Sequence, residues 1–278
     1  MRVGIIGLGL IGGSMAKAIK HYTDHTVSGM DLSNQVVLKA KMLQVIDDEL
    51  TPEEIQNCGL IIVALYPRAA IDFIKTNAKC LRGATVVDCC GVKSIVQEAV
   101  LPVAREHGFV FVGGHPMAGI EYSGFEYSKI DLFDGASMIL TPDPQTNITV
   151  LDGLKHFFLS LGFGNIQIST PEEHDHVIAY TSQLAHVLSS AYVKSEAAMR
   201  HRGFSAGSFK DMTRVALLNV DMWTELFLAN SEPLADEVDA LAARLSQYAE
   251  AIRSHDNEAL SALLDEGCKR KQYLTERE

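Results

Sequence analysis

Short apolar runs recur along the first 168 residues, and each is separated from the next by a stretch with helical spacing. The runs lie at 2–6, 26–30, 59–65, 84–88, 109–112, 136–140 and 165–168. The run at 59–65 is nearly continuous, as expected of a parallel strand covered on both faces rather than a half-exposed one. Helices are expected from 15 onward, from a Ser33 cap through Ala40, near 68–79, near 94–106 and near 145–161. Thr51-Pro52-Glu53-Glu54 has capping-box spacing and opens a short helix. Strands alternating with helices predict right-handed βαβ units in one doubly wound sheet.

From Thr170 the pattern changes. Thr170-Pro171-Glu172-Glu173 is a second capping box, and no strand signal follows it. A helix from about 171 to 201 carries Val177, Ile178, Leu184, Val187, Leu188, Ala191 and Val193 nearly all round, as a buried helix does. Leu234, Val238, Leu241, Leu245, Tyr248 and Ile252 make one seam, and Leu260, Leu263 and Leu264 another. Seams need partners. A homodimer built by the helical half supplies them, as would a self-contained bundle. The expected organisation is a doubly wound α/β domain at 1–169 followed by an all-α substrate-binding and dimerisation domain at 170–278.

Composition narrows the class of partner. The 278 residues are 47% apolar and 21% charged, and no apolar stretch is long enough to span a membrane. A formal charge of −11 with no run of Lys and Arg argues against nucleic acid and anionic membrane as partners. An anionic small substrate would need a local cationic pocket. Cys58, Cys80, Cys89, Cys90 and Cys268 lack any C-x-x-C spacing, so neither a disulfide framework nor a metal site is expected, and a cytoplasmic setting fits.

The first strand turns directly into Gly7-Leu8-Gly9-Leu10-Ile11-Gly12, a G-x-G-x-x-G turn that opens a helix. Gly7 allows the tight turn, Gly9 lets a pyrophosphate approach the backbone, and Gly12 lets helix and strand pack closely, the Rossmann arrangement for a dinucleotide. The second strand ends in Asp31, placed to meet an adenosine ribose and to favour NAD over NADP. The plainer readings are a glycine-rich βα turn without ligand, or a signal peptide, against which the glycine density argues.

Ligands bind beyond the carboxyl ends of strands in such sheets, so the residues after each strand carry the candidate chemistry. Leu65-Tyr66-Pro67, Asp88 to Lys93 with Gly91, and Gly113 to Gly119 qualify. His115, on a glycine-flanked loop after the fifth clear strand, is a candidate base at neutral pH, or a side chain that only holds the turn. His186 lies in an apolar stretch and needs a partner or ligand. Lys210 and Arg214, four apart, could clamp a carboxylate or form a solvated face tied to Asp211. His174 and His176, two apart on a helix, do not share a face and make no metal pair.

Gly114-His115-Pro116-Met117-Ala118-Gly119, followed by Glu121, Ser123 and Gly124, resembles the signature of the prephenate dehydrogenases, tyrosine-pathway enzymes that include arogenate dehydrogenases. The resemblance also takes in residues 7–14, 88–93, 182–186, 209–214 and Trp223, in that order along nearly the whole chain. It implies NAD-dependent oxidative decarboxylation of prephenate to 4-hydroxyphenylpyruvate. His115 would accept the ring-hydroxyl proton while hydride leaves the same carbon for NAD, and carbon dioxide departs as the ring becomes aromatic. Cofactor contacts would come from Gly7, Leu8, Gly9, Leu10, Ile11, Gly12, Asp31, Leu65 and Gly91. Arg214 would bind a substrate carboxylate, with His186 and Gly207 lining the pocket and Glu121 at its mouth. Asp211 and Trp223 would support Arg214, and the helical domain would form the dimer.

The chain departs from the family pattern at one point. Many members carry a Ser just before the Val-Lys pair, touching both the catalytic His and the nicotinamide, and here that position is Gly91. Ser94, Cys90 or a water is then left to orient His115. Rival readings are an arogenate dehydrogenase, a β-hydroxyacid dehydrogenase or imine reductase that uses a helical-domain Lys as acid, and a nonenzymatic NAD sensor that binds without turnover.

Overall fold

The structure, a computed structural model, describes residues 1–120 and 122–276. Among them eight strands form one sheet: β1 (Arg2–Ile6), β2 (Thr26–Met30), β3 (Asp48–Glu49), β4 (Leu60–Val63), β5 (Thr85–Asp88), β6 (Val110–Pro116), β7 (Ser137–Pro142) and β8 (Asn165–Ile168). Their order is β3-β2-β1-β4-β5-β6-β7-β8, parallel throughout except for β6 against β7. The order reverses between β1 and β4, and the crevice for a ligand lies there, outside their carboxyl ends.

The continuous apolar run becomes β4, whose four residues are all buried. Leu60 and Ile62 point into one core layer with Val3, Ile5 and Met15, while Ile61 and Val63 point into the other with Ile6, Val86 and Phe111. Burying each such side chain contributes about 1.5–3 kcal/mol. Helices cover the two faces: α1 (Leu10–Tyr22), α2 (Asn34–Met42), α3 (Pro67–Asn77), α4 (Ser94–His107) and α5 (Ile148–Ser160). The Ser33 cap forms, its hydroxyl accepting from the Val36 amide. Gly108 ends α4 in the left-handed region at φ +73°, which a side chain would strain.

Two expectations change. The fifth strand does not stop at Val112: Gly113, Gly114, His115 and Pro116 continue β6 and pair with β7, His115 opposite Ile139. His115 therefore sits in a strand rather than on a loop, because the partner β7 supplies a ladder that the glycine pair alone does not reveal. The single helix expected from 171 to 201 is broken into α6 (Pro171–Ile178), a π-helical turn at Ala179–Gln183, and α7 (Leu184–Tyr192). It ends there because the Ser195 hydroxyl accepts from the Ala197 amide and starts a separate turn, Glu196–Arg200. Nor is it covered all round, since Val177 is 50% exposed.

Two further helices follow, α8 (Gly207–Thr213) and α9 (Val220–Ala229). The chain divides into two compact units, Met1–Asn230 and Ser231–Glu278. The second unit is a hairpin of α10 (Ser231–Arg253) and α11 (Asn257–Thr275), in which the Tyr248 hydroxyl donates to the Leu263 carbonyl at 3.0 Å. Its expected seam is partly open, with Leu245 and Ile252 exposed. No described helix is long and apolar enough to cross a membrane.

Candidate active site

The turn after β1 carries the marks of a nucleotide cradle. Gly7 has φ +86°, and a Cβ there would stand 2.5 Å from the Ala64 carbonyl oxygen. One on Gly12 would stand 1.8 Å from the Gly7 oxygen, so helix and strand approach as closely as backbone allows. A Cβ on Gly9 would meet nothing within 4 Å, which leaves the approach to the α1 amides open. Those amides have no side-chain cap, so an anion suits them. Asp31 closes the far side, accepting from the Leu8 amide at 2.8 Å and from the Ser33 amide at 2.9 Å. Leu8 is buried, while Leu10, Ile11 and Leu65 are partly exposed around the turn. An open backbone with unclaimed amides and an acid across from it fits NAD.

Beyond β5 and β6 the chain builds a buried clamp. Lys93 and Asp88 form an ion pair in which both side chains are almost wholly buried. Asp88 accepts from the Gly114 amide at 3.1 Å, and the Lys93 ammonium donates to the Gly114 carbonyl at 2.6 Å. Gly114, the residue before His115, is thus gripped from both sides. Burial alone would penalise each charge, and the mutual pairing with backbone partners offsets that penalty. Glycine is required there: a Cβ on Gly113 would stand 2.2 Å from Thr141 Oγ1, and one on Gly114 2.5 Å from the Asp88 carbonyl oxygen.

His115 then meets two residues not singled out as site residues from the spacing. Its Nδ1 lies 2.8 Å from His174 Nε2, and His174 Nδ1 lies 2.7 Å from Asp175 Oδ1. Asp175 also accepts from the Lys93 amide at 2.7 Å and the Ser94 amide at 2.8 Å, which caps α4. These bonds hold its carboxyl below the usual range in spite of burial. Burial, then the His174 and Lys93 charges, push the His115 imidazole well below its ordinary value. Burial likewise lowers His174. Both rings are therefore neutral at pH 7. Asn230 completes the support, its amide donating to the Asp175 carbonyl and to Gln183 Oε1, each at 2.8 Å.

A second cluster lies on the helical side. His186 donates from Nδ1 to the Ser182 carbonyl at 2.9 Å and stacks on Trp223 with ring centroids 3.9 Å apart. Burial lowers its pKa, and the Arg214 charge reaches it and lowers it further. Helix α9 joins the clusters: Trp223 faces His186, and Leu226 lies 3.5 Å from where a Cβ on Gly91 would be. That same Cβ would be 3.8 Å from His115 Nε2. A carboxylate of α9 also caps the sheet's helix α3, Glu225 accepting from the Arg68 amide at 2.7 Å. Gly207 opens α8 and Asp211 lies on it, both exposed, with Arg214 at its end. Trp223 supports His186 directly. Glu121 lies outside the described residues.

Comparison with known proteins gives two matches to family models. Residues 15–166 match the nucleotide-binding domain of prephenate dehydrogenase, and residues 170–266 match its dimerization domain. A cyclohexadienyl dehydrogenase of Zymomonas mobilis is 32% identical over 98% of this chain and 95% of its own length. A prephenate dehydrogenase of Bacillus subtilis is 29% identical over 92% of this chain and 71% of its own. Among solved structures, the prephenate dehydrogenase of A. aeolicus in complex with hydroxyphenyl propionate and NAD+ superposes with a TM-score of 0.85 at 28% identity, covering 99% of this chain and 98% of that one. Synechocystis arogenate dehydrogenase gives 0.84 at 25%, covering 98% and 100%.

Proposed function

The chain belongs to the prephenate dehydrogenase family, NAD-dependent oxidoreductases, and we propose that it converts prephenate to 4-hydroxyphenylpyruvate and carbon dioxide, with His115 as the base. The observation that carries this is His115 itself: a neutral imidazole with one nitrogen tied to His174 and the other beside the open position at Gly91.

Gly7, Gly9, Gly12, the first amides of α1 and Asp31 would hold NAD, and bound NAD supplies a hydride acceptor. His115 Nε2 takes the proton of the ring hydroxyl as the carbon bearing it is oxidised. Loss of carbon dioxide then sends its bonding pair through the ring to that oxygen, which takes the proton back from Nε2. The base is restored within one turnover. Aromatisation drives the chemistry, so the protein's task is to orient the ring and manage one proton. Arg214 would bind a substrate carboxylate and His186 would line the pocket, with Trp223 stacked on the His186 ring.

A homodimer through the helical residues is part of the same proposal, as is a boundary between cofactor and substrate parts at 169/170. Phe204 and Leu217, exposed at 93% and 95%, support the dimer, and the Thr170 cap after β8 supports the boundary. Arogenate is the second reading, favoured by the likeness to the Synechocystis enzyme.

The test is absorbance at the reduced-nicotinamide band with prephenate or arogenate and NAD, for the unmodified chain and His115→Asn. Turnover of prephenate that falls about 10²–10⁴-fold in the variant, with NAD still bound, is the expected result. Turnover of arogenate alone selects the second reading, and turnover of neither overturns both.

A further inference from the structure

The bonds around Asp175 decide where every proton in the buried row sits. Its two oxygens already accept from the Lys93 and Ser94 amides, and the carboxyl stays ionised. His174 Nδ1, 2.7 Å away, must therefore carry the proton and donate it to Oδ1. That leaves a bare lone pair on His174 Nε2, so His115 donates to it from Nδ1 across 2.8 Å. His115 Nε2 is then bare, which is the tautomer a base needs. No side chain at position 91 assists. Gly91 carries none, and a Cβ there would make only ordinary contacts, 3.5 Å to Leu226 and 3.8 Å to Nε2.

Resting on the dehydrogenase reading above, we propose that His174, locked by Asp175, is the positioning residue that fixes the tautomer of His115, and that Gly91 leaves beside Nε2 the room the substrate hydroxyl enters. The base is held from behind, so its front can be open. The charged and titratable groups around the pair are Asp88 at the end of β5, Lys93 before α4, and Asp175 on α6. The neighbours Ile139 on β7 and Leu226 on α9 are apolar.

Ring-nitrogen NMR of histidine-labelled protein reads this without turnover. The expected signal for His115 is a neutral ring protonated at Nδ1, changing to protonation at Nε2 in His174→Leu. In turnover of prephenate with NAD, His174→Leu lowers kcat about 100-fold with KM within twofold. The acidic limb of its pH profile moves, because His174 is the ring bonded to the one that titrates. His174→Gln, which still offers an oxygen to Nδ1–H, keeps the tautomer and most of the rate. NAD binding by each variant shows that it is folded.

An Nδ1-protonated His115 in His174→Leu, or an unmoved acidic limb, overturns the proposal. If the unmodified chain turns over neither substrate, the dehydrogenase reading falls, while the ring signals still decide the role of His174.

Discussion

At the carboxyl ends of β5 and β6 the Asp88–Lys93 pair, two obligatory glycines and the Asp175 cap satisfy one another within one chain. The stretch from Met199 to Ala229 is built differently. Among the described residues neither α8 nor α9 contains a buried one, and Met199, Phe204 and Leu217 are exposed at 85%, 93% and 95%. The first region holds the His115 imidazole in place by bonds whose loss the fold would feel. The second displays apolar surface of the kind that marks a protein interface. The proposed chemistry thus rests on the closed region, and the proposed dimer on the open one.

That contrast predicts where substitutions register. Lys93→Met strands the Asp88 carboxylate in the core and is expected to destabilise the fold by about 3–5 kcal/mol in denaturant unfolding. A loss under about 1 kcal/mol would mean that the clamp is dispensable. Gly12→Ala drives a methyl into the Gly7 carbonyl, with an expected cost of about 1–3 kcal/mol and weaker NAD binding by fluorescence titration. Acid sharpens the comparison further. His115, His174 and His186 have folded-state pKa values below the ordinary 6.5. The folded state binds fewer protons than the unfolded one, so stability is full above about pH 6.5 and falls as pH drops toward the depressed values. Thermal unfolding across that range checks the sign. The smallest stability effect belongs to the exposed region: Leu217→Asp changes protomer stability by no more than about 0.5 kcal/mol. Light scattering should nevertheless show it shifted from dimer to monomer.

The sheet was legible because its signals are local. Residues 59–65 read as a covered strand, which forms over Leu60–Val63, and Ser33, Gly7 and Gly12 each do a job set by the residues beside them. β3 was not legible, since Asp48 and Glu49 show no apolar alternation and join the sheet only through backbone pairing with β2. The candidate site divides in the same way. Asp31 and Gly91 follow strands and His115 lies near the end of one, so all three could be read from position. His174 lies 59 residues from His115 and was weighed only against His176, its neighbour on the helix, while its partner stands on β6. Its value exists only once α6 docks. The π-turn at Ala179–Gln183 left no mark either, because its residues are ordinary helix formers and its extra residue is set by where Gln183 must reach, the Leu226 carbonyl and Asn230.

The two docking carboxylates, Asp175 on the start of α4 and Glu225 on the start of α3, also impose an order of events. Synthesis delivers the sheet first, and domains fold from the N-terminus as they emerge. A nascent chain that has reached β8 already owns its glycine turn and His115, but it lacks His174 and Asp175, which lie beside His115 in the folded chain. The surroundings of His115 are therefore completed late, when two acids from the later segment find the starts of two earlier helices. Until then the half-made protein has the cofactor cradle without the means to use it.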